Sequence, residues 1–425
     1  MSTRQFWLNG GMRVVSLALG VIASIVVARV LGPEDFGAYA FVFTLLSVSA
    51  LPAGVALNQL VMRETAHLLE SNRLTTLTGF RRRSLQWIGG VSALIVMSIV
   101  ALDGLTLLLP AGPSLSATVL LLIPLLALST FFSESLRGAG DLVSSQWPEL
   151  LLRPIAVLTL LSCLLIFDGS FSIELVLFVQ VAALLLTVTC FARRNHVTFS
   201  KIGLDIKMTF DDDRWREALP WFFLLTAVWS LTQQIGVLIT GLLGGDSTHV
   251  SAMQLGLSAS MLVALPLVVM TTITGPELAR INSDGPSSQA LVPAVRATRL
   301  ATFVSFLILV PLLSFTEILV TLIYGNEFVF AVNTIRVLCL AQFINVAFGL
   351  TGQLLISSGF ERETVRGQLL GLLVTMIGGL VLVRTYGSLG VASAILMGTL
   401  TWNFMLARRV LVHFGIARLL RADVS

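Results

Sequence analysis

Ionisable and amide side chains set inside long apolar runs are the residues of this chain with chemistry to offer. Glu134 and Arg137 stand three apart and Glu149 and Arg153 four apart, so each couple lies along one helix face and can pair there. Arg13 is followed by Ser16, Gly20 and Ser24 at helical spacing, a stripe that either lines a polar path or packs against another helix. At about 100° per residue, Gln342, Asn345, Gly349, Gly352 and Gln353 fall on one side of a helix. Thr226, Ser230, Gln233 and Gln234 make a similar set earlier in the chain. An Arg at the centre of a bilayer helix costs roughly 2.5–3.5 kcal/mol on insertion scales, so it needs a partner, a cavity or a route to the surface. The chemistry implied is replacement of water around a polar solute. Arg13, Ser24, Glu134, Arg137, Gln233, Gln234, Gln342, Asn345 and Gln353 are the candidate cavity residues. Arg29 and Arg336 are candidate cations at an outer mouth.

Bond-making chemistry has no comparable signal. Cys163, Cys190 and Cys339 lie in or beside apolar runs without metal or disulfide spacing, and His67, His196, His249 and His413 are scattered, so neither a zinc site nor a triad is expected. No Gly-rich lysine loop cradles a phosphate, and no cofactor is expected. Asp211, Asp212 and Asp213 have no second acidic cluster to complete a metal site and read as a solvated turn.

The elements that must position these groups are set by composition: 56% of residues are hydrophobic and 12% charged, the balance of a polytopic all-α membrane protein. About twelve spans are expected, near 12–30, 36–60, 84–108, 116–137, 150–167, 172–192, 218–243, 250–273, 299–320, 331–357, 366–384 and 388–410. The first run lacks a cleavage site and leads directly into the second, so it reads as mature protein. With the N-terminus inside, all but Arg29, Arg336 and Arg384 of the 27 Lys and Arg residues fall on the cytoplasmic side, which places both termini there. The net charge of +4 therefore reports topology, not nucleic-acid binding. No outer loop exceeds roughly a dozen residues, too short for a catalytic domain, and an enzyme is not expected.

The polar stretch 193–217 reads as a cytoplasmic linker between two six-helix lobes, 1–192 and 218–425, the second ending in a short basic tail. A weak internal repeat relates them. Gly32-Pro33-Glu34-Asp35 corresponds to Gly244-Gly245-Asp246, and Leu51-Pro52 with Arg63-Glu64-Thr65-Ala66 corresponds to Leu265-Pro266 with Pro276-Glu277-Leu278-Ala279. Six spans per copy is even, so the copies run in the same direction, as in alternating-access transporters with a central cavity. Arg29 pairs with Glu34 or Asp35 or faces an anionic headgroup, and Arg336 either snorkels or does the same.

The segments ARVLGPEDFGAYAF after the first span, LNQLVMRETA after the second and LRGAGD after the fourth resemble the polysaccharide transporter family. That family includes Wzx-like flippases for O-antigen and other lipid-linked oligosaccharides, within the multidrug/oligosaccharidyl-lipid/polysaccharide flippase superfamily. In the second half the likeness is looser and rests on GQLLISSGFERE at 352–363, and the chain departs from fourteen-span relatives by ending near twelve. The resemblance implies two pseudo-symmetric lobes opening alternately to each side of a prokaryotic plasma membrane. The cargo it implies is a polyprenyl-diphosphate-linked glycan delivered to polymerase or export machinery. A proton or sodium gradient can drive such transport at about 2.3 kcal/mol per charge per 100 mV. The alternative within the superfamily is a cation-coupled multidrug exporter, which would use more membrane-buried acids than Glu134.

The topology makes a direct prediction. A fluorescent reporter fused after Arg83 or at the C-terminus lights up in the cytoplasm, and alkaline phosphatase inserted after Asp35 or Asp246 is active outside; the reverse pattern would overturn the assignment.

Overall fold

The structure, a computed structural model, describes residues 3–54, 57–101, 117–167, 171–202, 208–281 and 288–414. Helix dominates these residues and none is in a strand, because a chain in hydrocarbon must satisfy its backbone groups internally. In order, the helices are α1 (Thr3–Ser49), α2 (Asn58–Glu70), α3 (Leu74–Ala101), α4 (Leu122–Gly138), α5 (Arg153–Phe167), α6 (Ile173–Ile202) and α7 (Asp212–Leu243). They continue with α8 (Ser247–Ile281), α9 (Leu291–Ser314), α10 (Thr316–Ile323), α11 (Val332–Phe348), α12 (Thr351–Ser357) and α13 (Glu361–Phe414). Ten helices among the described residues are long and apolar enough to cross a membrane. The chain is a multi-pass membrane protein.

Two of the ten are far longer than one crossing. At 1.5 Å per residue α13 measures about 80 Å against a hydrocarbon layer of about 30 Å. Gly387, at φ 53° and ψ −134°, divides it. Its two rods lie antiparallel on small residues: a Cβ on Gly371 would stand 2.9 Å from the Gly398 carbonyl, and one on Gly378 would stand 3.1 Å from Ala394. At the open end Arg409 Nε meets Glu363 Oε2 at 2.6 Å and Phe360 stacks on His413 at 3.8 Å. In α1 the division is Gly32, φ 74° and ψ 175°, immediately before Pro33, where the sequence expects its first turn.

Several expected boundaries move. The second span stops at Ser49, not residue 60, because Leu51-Pro52-Ala53-Gly54 forms a turn before α2. The third begins at Leu74, so Arg81, Arg82 and Arg83 are inside a helix instead of before one. The tenth, expected unbroken over 331–357, is split at Gly349. The stretch 193–217 is mostly helix: α6 runs on to Ile202 because Phe191, Asn195 and Phe199 continue its buried stripe at four-residue spacing, and α7 starts at Asp212. Residues 203–207 of that stretch and 415–425 of the basic tail lie outside the described residues.

The chain divides into two compact units, one of residues 1–31 with 41–234, the other of 32–40 with 235–425. In the first unit α4 meets α2 so closely that a Cβ on Gly138 would lie 2.6 Å from the Met62 carbonyl. The second is built around α8, α11 and α13, with Leu278, Leu291, Leu350, Leu355, Leu406 and Phe414 in one buried cluster. Within it Ser251 Oγ donates to the Pro33 carbonyl, and Gly37 leaves no room for a Cβ beside the Ser247 carbonyl. The Thr248 hydroxyl and N–H donate to Asp246 at 2.7 and 3.0 Å, which holds that carboxylate below its usual range. Its contribution is present above the unfolded pKa and lost as pH falls through the depressed value.

The repeat has a backbone counterpart. Gly32 and Gly245 both sit at φ 74°. α4 and α12 end alike: Asp141 N donates to Leu136 O at 3.0 Å and Phe360 N to Leu355 O at 2.9 Å, around Gly140 at φ 83° and Gly359 at φ 82°. Gly140→Ala and Gly359→Ala should each lower stability by about 1 kcal/mol, read as thermal unfolding in detergent. Gly89→Ala in α3, where a Cβ meets nothing within 4 Å, should be neutral or stabilising.

Candidate functional site

The first unit gathers charge on three membrane helices, with Glu134 buried, Arg137, Glu149 and Arg153 half-buried and Arg13 exposed. α4 carries Ser129, Ser133 and Arg137 four apart, with Glu134 beside them. Arg137 Nη1 lies 3.1 Å from Glu134 Oε1, and Arg13 on α1 is close enough to Arg137 for their charges to interact. Between α4 and α5 the chain makes one wide turn, Pro148–Leu152, in which Arg153 N donates to the Pro148 carbonyl five residues back. Glu149 in that turn accepts from Arg153 at 2.5 Å and from Ser129 Oγ at 3.0 Å, while the Arg153 guanidinium stands 5.8 Å from the Phe43 ring. Ser133 Oγ donates to the Ser145 carbonyl at 2.7 Å. Three arginines and two glutamates leave the cluster cationic by one charge, on helices long and apolar enough to cross a membrane. A group of this composition can exchange its internal bonds for an anionic guest.

Both charge pairs read from spacing are formed here. Arg13 is exposed and Ser24 half-buried on α1. On α7 Gln233 is exposed and Gln234 half-buried, while Thr226 turns inward and donates to Asn58 Oδ1 at 3.2 Å. Ser129 and Phe43 escaped the sequence reading, since a Ser and a Phe in apolar runs carry no signal until the fold sets them against Glu149 and Arg153.

In the second unit the amides are arranged differently from expectation. Asn345 Oδ1 accepts from Asn403 Nδ2 at 3.1 Å, and the same nitrogen donates to Thr399 O at 2.9 Å, so Asn345 joins α11 to α13. α11 stops at Phe348 because Gly349 adopts φ 61°, and Leu350 N finds its acceptor in Thr298 Oγ1 of α9 at 3.2 Å. Gly352 and Gln353 therefore do not share a face with Gln342 and Asn345. Gln353 lies on α12, where its Nε2 is 3.5 Å from the place of a Cβ on Gly275 of α8. Asn403, a lone amide in a long apolar run, is the residue the sequence reading missed.

The two cations expected at an outer mouth differ in burial. Arg29 is exposed, and Arg336 is half-buried with its Nε donating to Thr316 Oγ1 at 3.3 Å. Among the described residues no three of His, Cys, Asp and Glu come together to hold a metal ion.

No protein-family model and no curated protein sequence matches the chain. Solved structures do. An inward-facing multidrug resistance MATE family transporter of the MOP superfamily aligns over 96% of this chain and 95% of its own, with a TM-score of 0.72 and 14% identity. The lipid II flippase MurJ in an inward closed conformation covers 100% of this chain and 91% of its own at a TM-score of 0.63 and 15% identity. A MOP superfamily transporter from Pyrococcus furiosus, described as having a binding pocket of reversed polarity, covers 99% and 95% at a TM-score of 0.63 and 14% identity. The chain thus has the two-lobed all-helical transporter fold that these proteins share.

The Glu134–Arg137 pair yields a stability prediction. Arg137→Gln strands a nearly buried carboxylate and should lower stability by about 1–2 kcal/mol, less than a fully buried pair because the Arg is partly exposed. Adding Glu134→Gln should recover part of that loss, measured as unfolding temperature in detergent; additive losses would mean the two do not interact.

Proposed function

We propose that this protein is a flippase that moves a polyprenyl-diphosphate-linked oligosaccharide, an O-antigen or exopolysaccharide repeat unit, from the cytoplasmic to the outer leaflet by alternating access. The observation that carries the reading is the cationic balance of Arg13, Arg137 and Arg153 over Glu134 and Glu149 within apolar helices. A diphosphate cannot enter hydrocarbon without partners for its charge, and guanidinium groups supply them in a geometry matched to phosphate oxygens. Ser24, Gln233, Gln234, Gln342, Asn345 and Gln353 are the candidates for contacting sugar hydroxyls, and Arg29 and Arg336 for meeting the headgroup at the outer face. In this reading the chain crosses a prokaryotic inner membrane twelve times with both termini cytoplasmic, 1–192 and 218–425 act as lobes, and a glycan polymerase or export complex receives the product. The fold shared with the lipid II flippase MurJ supports it.

The likeness to a multidrug resistance MATE transporter favours a second reading, a cation-coupled exporter. Against it stands the state of Glu134 and Glu149, each bound to an Arg and so poorly placed to exchange a coupling cation.

Liposomes containing the purified protein and a fluorescent polyprenyl-diphosphate glycan test the proposal. The protein should expose inner-leaflet lipid to an impermeant quencher, and Arg137→Gln should slow this at least about tenfold, the equivalent of one charge-assisted bond. A protein that leaves the lipid in place but exports cationic dyes down an ion gradient is the exporter.

A further inference from the structure

The surface of the first unit carries a second group of cations, apart from the Arg13–Arg153 cluster. Successive residues of Arg81-Arg82-Arg83 point about 100° apart on α3. Arg81 turns inward: its guanidinium stacks 3.8 Å from the Phe199 ring and 5.6 Å from Phe131, and both terminal nitrogens donate to Asn195 Oδ1 at 3.3 Å. Asn195 is itself oriented by bonds from its Nδ2 to Phe132 O at 2.9 Å and Phe191 O at 3.2 Å. With Arg81 fixed, Arg82 and Arg83 are both exposed.

Beside them the segment Met208-Thr209-Phe210 is fastened to α3 by its middle residue. Thr209 N donates to Thr75 O at 3.2 Å, its hydroxyl bonds those of Thr76 at 2.9 Å and Thr75 at 3.3 Å, and Gly79 leaves space for its carbonyl where a Cβ would overlap it. Met208 and Phe210 are thereby left 36% and 50% exposed, large apolar groups next to charged ones. Arg82 Nη1 rests 3.5 Å from Met208 Sδ, and the Arg83 guanidinium 5.6 Å from the Phe210 ring centre. Among the residues whose side chains are described, none gives Arg82 a carboxylate partner. Asp211, which follows Phe210 in sequence, accepts at its backbone oxygen from Trp215 N at 3.3 Å. That makes it the N-cap of α7, where a carboxylate is stabilised by the helix end.

Depth is legible as well. The 28 residues of α3 span about 42 Å, so its first turns project beyond a hydrocarbon layer of about 30 Å. One turn inward from Arg83, the exposed Trp87 donates Nε1 to the Pro52 carbonyl at 3.1 Å, the residue type and posture of a membrane interface. Farther in, the large apolar side chains of Leu94, Met97 and Val100 are exposed, the surface a lipid-facing helix presents.

We propose that Arg82, Arg83, Met208 and Phe210 form a docking site for an anionic glycerophospholipid in the leaflet around the N-terminal end of α3. The Arg82 guanidinium takes the phosphate oxygens, Arg83 adds positive charge beside it, and Met208 and Phe210 hold the upper acyl chain, so one lipid satisfies both halves of the patch.

The test uses the full chain in detergent micelles, titrated with tail-labelled phosphatidylglycerol or phosphatidylcholine. Phosphatidylglycerol should bind about tenfold more tightly at low salt and lose that advantage at 0.5 M NaCl. Arg82→Gln should weaken phosphatidylglycerol about fivefold and leave phosphatidylcholine unchanged, while Arg366→Gln, an exposed Arg of the second unit, should change neither. Met208→Ser with Phe210→Ser should weaken both lipids, which keeps the site testable if the Arg variant misfolds. Equal binding of the two lipids by the wild type, or wild-type affinity in the folded Arg82→Gln variant, would overturn the site.

Discussion

Hydrocarbon provides no hydrogen bonds, and the rest of this structure follows from that deprivation. Where the chain leaves a helix at Gly349, Gly140 and Gly359, a substitute partner is at hand. Thr298 accepts from the amide freed at Leu350, and the turns after α4 and α12 close on carbonyls five residues back. Charges obey the same rule. Arg81 is surrounded by an amide oxygen and two aromatic faces, Arg137 by Glu134, and Arg153 by Glu149 and Phe43. A group that must give up such partners to receive a guest gives them up only to one offering the same contacts, which makes a satisfied polar interior selective.

The helices themselves attract one another weakly in lipid, since tails are as apolar as Leu, and close packing takes over. Small residues therefore mark the joints: Gly138 against Met62, Gly37 against Ser247, Gly371 against Gly398. In water each mid-helix glycine would weaken its helix by about 1 kcal/mol relative to Ala. Here the penalty is offset by backbones approaching without an intervening side chain.

Fold class was readable because apolar runs and turn residues report directly on crossing a bilayer: Gly32-Pro33 and Gly245-Asp246 fall where the chain breaks, and Glu134–Arg137 pairs as its spacing implies. The site was readable only in part. Spacing along a helix assumes the helix persists, and at Gly349 it does not, so the face drawn from Gln342 to Gln353 dissolves. The bond that Asn345 accepts could not be read from spacing because its partner, Asn403, is 58 positions away. The helical course of 193–202 was hidden for a similar reason: its polar look comes from Arg193, Arg194 and Asn195, whereas Phe199 and Asn195 acquire their purpose from Arg81 on another helix.

The folded-back form of α13 has an electrical consequence. A single helix across the membrane carries about half a charge of opposite sign at each end, and a transmembrane field would exert a torque on it. In α13 the two rods run in opposite directions side by side, joined at Gly387, so their dipoles cancel. Any response of this hairpin to membrane voltage must therefore arise from its side chains, and the Glu363–Arg409 couple at its open end is itself neutral.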